Sequence, residues 1–207
     1  MAITHLFFDV GGVLGTPGWE SAYRMQAALR FGLDRADFER RHQAVVQDFE
    51  EGRLTLAEYL DRAVFHQPRA FSRAAFFAFM RRRSRPHPEA LALARALRAT
   101  GRYRLMTINN ESAELNEYRL RCFGLIGLFD AFFSSCWVGA MKPAPRIYEV
   151  ALEISQAVPE RSVFIDDRQE NLAPARALGM HALRFTGVRR LAADLAALGV
   201  AVPADVG

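Results

Sequence analysis

Lysine is almost missing from this chain. Of its 27 basic residues 26 are arginine, and Lys142 is the single exception. Asparagine is nearly as scarce and is confined to Asn109, Asn110, Asn116 and Asn171. A composition that puts arginine almost everywhere makes these few positions candidates for chemistry that a guanidinium or a serine cannot supply. Cysteine is limited to Cys122 and Cys136, which form neither a disulfide framework nor a four-ligand metal site, so a reducing, cytoplasmic setting is expected. Long apolar runs are absent too. The early run HLFF is cut short by Asp9, and no basic leader or small-residue cleavage site precedes it, so neither secretion nor a membrane partner is expected. The net charge of +4 could suit nucleic acid, but only RRRSR (81–85) forms a basic block, and no interleaved aromatics accompany it. That block reads as the solvated end of a helix.

What is present is ordinary globular material: 207 residues, 51% hydrophobic and 24% charged, enough for one core with a small appended domain. THLFFDV has the short apolar run of a strand buried on both faces, ended by Gly11 and Gly12. Four amphipathic helices are predicted next, over 18–31, 35–51, 55–66 and 72–84, the last two capped by Thr55 and Ser72. A further helix opens at Pro88 and stops at Gly101. Beyond it strands (103–108, 131–135, 162–166, 181–185) alternate with helices, the rhythm of a parallel sheet covered on both faces. The expected architecture is α/β, a Rossmann-like doubly wound parallel sheet with a small all-helical cap inserted after the first strand. Residues 1–16 and 86–207 make the core and 17–85 the cap, and the tail VPADVG reads as loose.

Ligands of an open parallel sheet bind at the carboxyl ends of its strands. Those ends carry Asp9, then Asn109 and Asn110, then Lys142 beyond the third strand, then Asp166 and Asp167, with Asn171 four residues on. Three of the five scarce Lys and Asn residues thus collect at one edge.

This constellation resembles the haloacid dehalogenase-like superfamily, mostly Mg-dependent phosphohydrolases. FFDVGGVL is similar to its first motif, MTINNES to its second, GAMKPAPRIY to its third and VFIDDRQEN to its fourth, and the order covers nearly the whole chain. The resemblance implies that Asp9 is a nucleophile that forms an aspartyl phosphate, with the Gly11–Gly12 backbone cradling the phosphoryl group. It implies a Mg²⁺ site of Asp9, the Gly11 carbonyl and Asp167, with Asp166 joining them in support and Asn171 beside it. Lys142 would neutralise carboxylates and phosphate, and Asn109 and Asn110 would bind substrate, with Thr107 the alternative to Asn109.

Two positions depart from the pattern. The superfamily usually has a second Asp two residues after the nucleophile, as the acid–base group; here that position is Gly11. The usual Ser or Thr of the second motif is Asn109. The expected activity is a Mg-dependent phosphohydrolase acting on a small phosphorylated metabolite. The alternatives are a metal-independent 2-haloacid dehalogenase, which needs no second Asp, and a catalytically weak phosphate-binding or regulatory protein. Trp19, Tyr23 and Arg24 lie where a cap meets the site and either pack or touch substrate. Glu111 reads as a favourable charge at a helix N-terminus.

Overall fold

The computed structural model describes residues 2–203; positions 204–207 of the expected loose tail, like Met1, lie outside the described residues. Five parallel strands form one sheet in the order β3-β2-β1-β4-β5: β1 His5–Phe8, β2 Arg104–Asn109, β3 Ala131–Ser134, β4 Ser162–Asp166 and β5 His181–Arg184. The central strand is in register with both neighbours, His5 opposite Arg104 on one side and Ser162 on the other. Alternation along it explains its unbroken apolar run. Leu6 and Phe8 enter one hydrophobic cluster with Leu105, Val163 and Ile165, while Phe7 enters another with Met106, Ile108 and Phe164.

Helices cover both faces. Those following the first crossover are α6 Pro88–Ala99, α7 Ala113–Cys122, α8 Ser135–Val138, α9 Pro145–Ser155, α10 Gln169–Ala177 and α11 Val188–Ala197. Between β1 and α6 stands an all-helical block: α1 Ser21–Phe31, α2 Arg35–Gln43, α3 Val46–Glu50, α4 Leu56–Ala63 and α5 Arg73–Arg83. Its apolar residues, among them Trp19, Phe38, Phe49, Tyr59 and Phe76, make a cluster of their own that the core joins through Leu115. Thr55 and Glu58 form a reciprocal capping box at the start of α4, and Ser72 caps α5 through Ala75 N–H.

Two local expectations need correction. The single helix over 35–51 is two helices broken at Ala44 and Val45, where Val45 leaves helical geometry (φ −133°, ψ −6°). The buried spacing Phe38, His42, Val45, Phe49 runs through the break unaltered, so the pattern carried no sign of it. The strand expected to reach Ser135 ends at Ser134, and α8 follows it directly.

The chain enters and leaves the helical block through one stem. Thr16 N–H donates to the Arg85 carbonyl (2.8 Å), His87 N–H donates to the Leu14 carbonyl (2.9 Å), and Gly15 and Pro86 form an antiparallel bridge. No helix among the described residues is long and apolar enough to cross a membrane.

Candidate active site

Strand order places β1 between β2 and β4, where successive connections run to opposite sides of the sheet, and this opens a crevice at the strands' carboxyl ends. Asp9 sits there, immediately after β1, its N–H donating to the Ile165 carbonyl of β4 (2.8 Å). Its Oδ1 accepts from Val10 N–H (2.7 Å) and pairs with Lys142 Nζ (2.9 Å), which leaves Oδ2 without a hydrogen bond among the described residues. Lys142 Nζ also reaches Asp166 Oδ2 (2.6 Å). Asp166 is fully engaged, since Asn171 Nδ2 donates to both of its oxygens (3.0 Å each) and Arg168 N–H to Oδ1 (2.8 Å). It therefore orients Lys142 and Asn171. Asp167 differs: its Oδ1 is buried without a hydrogen-bond partner.

Oxygens of Asp9, Asp166 and Asp167 all lie within 4.8 Å of one another. Burial raises the Asp9 carboxyl above its ordinary range, the neighbouring Asp166 adding to this and Lys142 opposing it. Burial, then Asp166, raises Asp167 likewise. Burial works against the Lys142 ammonium, but Asp9 and Asp166 outweigh it and hold the lysine charged. Three carboxylates around one ammonium carry a formal charge of −2, an all-oxygen set that a hard divalent cation would neutralise. The atoms free to hold it are Asp9 Oδ2, the unpartnered Asp167 oxygen and the Gly11 carbonyl, which accepts no hydrogen bond among the described residues.

The two glycines play unlike parts. Gly12 has φ +85°, and a Cβ there would lie 2.5 Å from the Asp167 carboxylate, so the loop approaches that close only as glycine. Its N–H donates to the Gly15 carbonyl (2.7 Å) and is not spare for phosphate, contrary to the expected cradle. Gly11 lines the cavity. Its φ lies outside the left-handed region, yet a Cβ there would come within 3.2 Å of Gly18 N, with Pro17 and Arg119 next. Arg119 fastens that obstructing segment by donating to the Thr16 (2.8 Å) and Pro17 (2.6 Å) carbonyls. A side chain at position 11 would thus require the Gly18 backbone to give by a few tenths of an ångström.

The two asparagines also separate. Asn110 lines the cavity and clasps Lys142 by its backbone, donating to the Lys142 carbonyl and accepting from its N–H (2.8 Å each). Asn109 is 1% exposed and does not line the cavity; its amide is spent on Asn116 (3.1 Å) and on Ser134 Oγ, which donates to it (2.9 Å). Asn109 is thus engaged between β3 and α7 and does not reach the cavity.

Over the crevice lies a cavity of about 690 Å³, lined from the core by Asp9, Gly11, Lys142 and Asp167 and from the helical block by Arg24, Gln43 and Glu50. Arg24 is held by both oxygens of Glu39 (2.6 and 2.8 Å). Trp19 lines the mouth while its indole N–H donates to Tyr59 OH (2.8 Å), itself paired with His42 Nδ1 (2.9 Å). Tyr23 packs on the helical block's cluster. Glu111 pairs with Arg119 (3.2 Å) and is sealed from solvent, a tighter fixture than a helix-end charge. Glu50 was not singled out from the sequence, because an acid in DFEEG at a helix end has no local mark that separates it from a solvated one.

The profile of haloacid dehalogenase-like hydrolases matches residues 3–179. The chain belongs to the haloacid dehalogenase-like hydrolases. Among curated relatives of this hydrolase, bifunctional epoxide hydrolase 2 of Mus musculus is 29% identical over 202 residues, 87% of the chain but 36% of the mouse protein. The chain thus spans about a third of that relative's length. D-ribitol-5-phosphate phosphatase of Bacteroides thetaiotaomicron is 25% identical over 198 residues, 86% of this chain and 89% of that one. In fold, the hydrolase is similar to a family enzyme of Bacteroides thetaiotaomicron solved as its magnesium complex, with TM-score 0.76, 21% identity, and coverage of 89% of this chain and 94% of the other.

Proposed function

We propose that this hydrolase is a Mg-dependent phosphohydrolase that acts on a small phosphorylated metabolite through an aspartyl phosphate on Asp9. The observation that carries the reading is the arrangement of Asp9, Lys142 and Asp167: a carboxylate at the crevice with one free oxygen, an ammonium fixed beside it, and a second carboxylate oxygen buried without a partner. An Asp9 carboxylate oxygen attacks phosphorus, the bond to the leaving oxygen breaks, and Lys142 neutralises charge on the phosphoryl oxygens. Asn110 holds Lys142 in place for this, and Asp166 and Asn171 fix its ammonium and the following loop. Mg²⁺ bound by Asp9, Asp167 and the Gly11 carbonyl would shield the like charges and polarise the phosphoryl group. The helical block, taken as a cap over residues 17–85, walls the cavity with Arg24, Gln43 and Glu50, and so selects the substrate. D-ribitol-5-phosphate phosphatase, similar over most of both chains, supports a small phosphorylated polyol or sugar as the class to try first. The free thiols of Cys122 and Cys136 fit a cytoplasmic protein.

A metal-independent 2-haloacid dehalogenase is favoured by one observation, the glycine at position 11. The unpartnered Asp167 oxygen weighs against it, since attack at carbon needs no third carboxylate. A screen of phosphorylated metabolites with Mg²⁺ and with excess chelator, run beside a halide-release assay on 2-haloacids, decides between them. Metal-dependent phosphate release is expected. Halide release undiminished by chelator refutes the phosphatase reading, and silence in both assays favours a phosphate-binding protein.

A further inference from the structure

Cleavage of a phosphate ester leaves an alkoxide unless an acid protonates it, and position 11 holds no acid. The cavity is lined by five carboxylates: Asp9, Glu20, Glu50, Asp167 and Glu170. Asp9 and Asp167 belong to the nucleophile and metal set described above. Glu20 is exposed, and Glu170 is exposed, held below the ordinary carboxylate range by its own backbone N–H and then by Arg168, with which it pairs (2.8 Å). Glu111, the one acid near Gly18 that is not in the cavity, is committed to Arg119. Glu50 remains. It is half-buried, and among the described residues no arginine or lysine forms an ion pair with it and no hydrogen bond uses its carboxyl.

Glu50 is also fixed relative to the core, although the helical block carries it. Ser135 Oγ at the head of α8 donates to the Glu50 carbonyl (2.6 Å) and accepts from Glu111 N–H (3.0 Å). Two residues on, Gly52 lies so close to α8 that a Cβ there would be 2.1 Å from the Cys136 carbonyl oxygen. The end of α3 is therefore pressed onto the core.

We propose that Glu50, reaching the cavity from the cap, is the acid that protonates the leaving oxygen in place of the side chain missing at position 11. This rests on the phosphohydrolase reading. In the first step an Asp9 carboxylate oxygen forms its bond to phosphorus, the phosphorus–ester oxygen bond breaks, and the Glu50 proton passes to that oxygen, so a neutral alcohol leaves and Glu50 becomes a carboxylate. Water then attacks the aspartyl phosphate, Glu50 takes its proton, and the bond from Asp9 to phosphorus breaks to release phosphate. The surroundings suit an exchangeable proton: burial pushes Glu50 up to about 7 and Glu111 adds to this, while Arg24, Arg168 and Lys142 oppose it.

The test compares wild type and Glu50→Gln on p-nitrophenyl phosphate, whose leaving group needs no proton, and on n-butyl phosphate, whose leaving group does. Because kcat/KM reports only the steps through the first irreversible one, it isolates the acid step from aspartyl-phosphate breakdown. Glu50→Gln is expected to lower kcat/KM for the butyl ester by about 10²–10⁴ and for the nitrophenyl ester by only a few-fold. The fall in butyl-ester activity above pH about 7 should vanish with it. Glu50→Asp should recover part of the loss. The p-nitrophenolate burst counts functional enzyme in each preparation, which corrects for a variant that folds poorly. Equal losses on both esters, or none, overturn the assignment of Glu50. A wild type that forms no phosphoenzyme on Asp9 with either ester overturns instead the phosphohydrolase reading beneath it.

Discussion

Replacing Lys142 by methionine should be far more damaging than its single charge suggests. Lys142 is 3% exposed, and its ammonium sits 2.9 Å from Asp9 Oδ1 and 2.6 Å from Asp166 Oδ2. At an effective dielectric of about 20, each contact corresponds to about 6 kcal/mol of Coulomb attraction. Most of that offsets the desolvation of three buried charges, so the pair adds little net stability as it stands. Removing the lysine keeps the desolvation and loses the attraction, leaving Asp9 and Asp166 to face each other. Breaking a buried ion pair in this way costs about 3–5 kcal/mol, against a total stability of about 5–15 kcal/mol for a typical domain. Urea unfolding in chelator should therefore show Lys142→Met losing a large part of its stability. Adding Asp166→Asn should return some of it, because the second substitution removes the repulsion between positions 9 and 166, and the double-mutant cycle reads that coupling directly. Mg²⁺ should stabilise the Lys142→Met variant more than wild type, since the site then carries three carboxylates and no ammonium. A Lys142→Met variant within about 1 kcal/mol of wild type in chelator would refute this account of the site's charges.

Three further outcomes are expected. Gly12→Ala should abolish Mg²⁺-dependent stabilisation in a thermal melt, because its Cβ would lie 2.5 Å from the Asp167 carboxylate at a φ of +85°. Gly11→Asp should lower Tm without raising alkyl-phosphate turnover, since its Cβ meets Gly18 N at 3.2 Å and the new acid would be drawn to Arg119; increased turnover in a leaving-group series would show that the acid fits. Burial lowers His42 from an ordinary value near 6.5 to about 4, so the native state resists a proton that the unfolded chain takes up. The stability this gives is complete above pH 6.5 and falls away as pH drops toward about 4, by up to about 3 kcal/mol; in His42→Phe the urea midpoint should decline less over that range.

The features legible in the sequence were those written locally. Strands feeding two clusters by turns read as apolar runs, and Thr55, Ser72 and Pro88 marked helix starts through caps that need only neighbouring residues. Lys142 stood out because composition isolated it, and the structure brings it to Asp9 and Asp166. What stayed hidden depends on distant contacts. The turn of Asn109 away from the cavity is set by Ser134 and Asn116, and the break at Val45 leaves the helical spacing intact. The crowding at Gly11 comes from Arg119, more than a hundred residues away, holding Thr16 and Pro17. Glu50 is half-buried through the docking of Gly52 and Ser135, residues that no window around DFEEG contains together.

The stem at the base of the helical block bears on how this fold tolerates change. Because Leu14 and Thr16 are hydrogen-bonded to His87 and Arg85, the ends of the insertion are held together by the core itself. Closing a flexible loop costs entropy that grows only with the logarithm of its length, about 0.6 kcal/mol per doubling, and a compact block with its own apolar cluster adds little to that. The free energy of folding the sheet is thereby nearly decoupled from the size of what is inserted. A shorter, longer or different module can be spliced onto the stem while Asp9 and Lys142 keep their places, provided that it brings an acid to the cavity where Glu50 now stands.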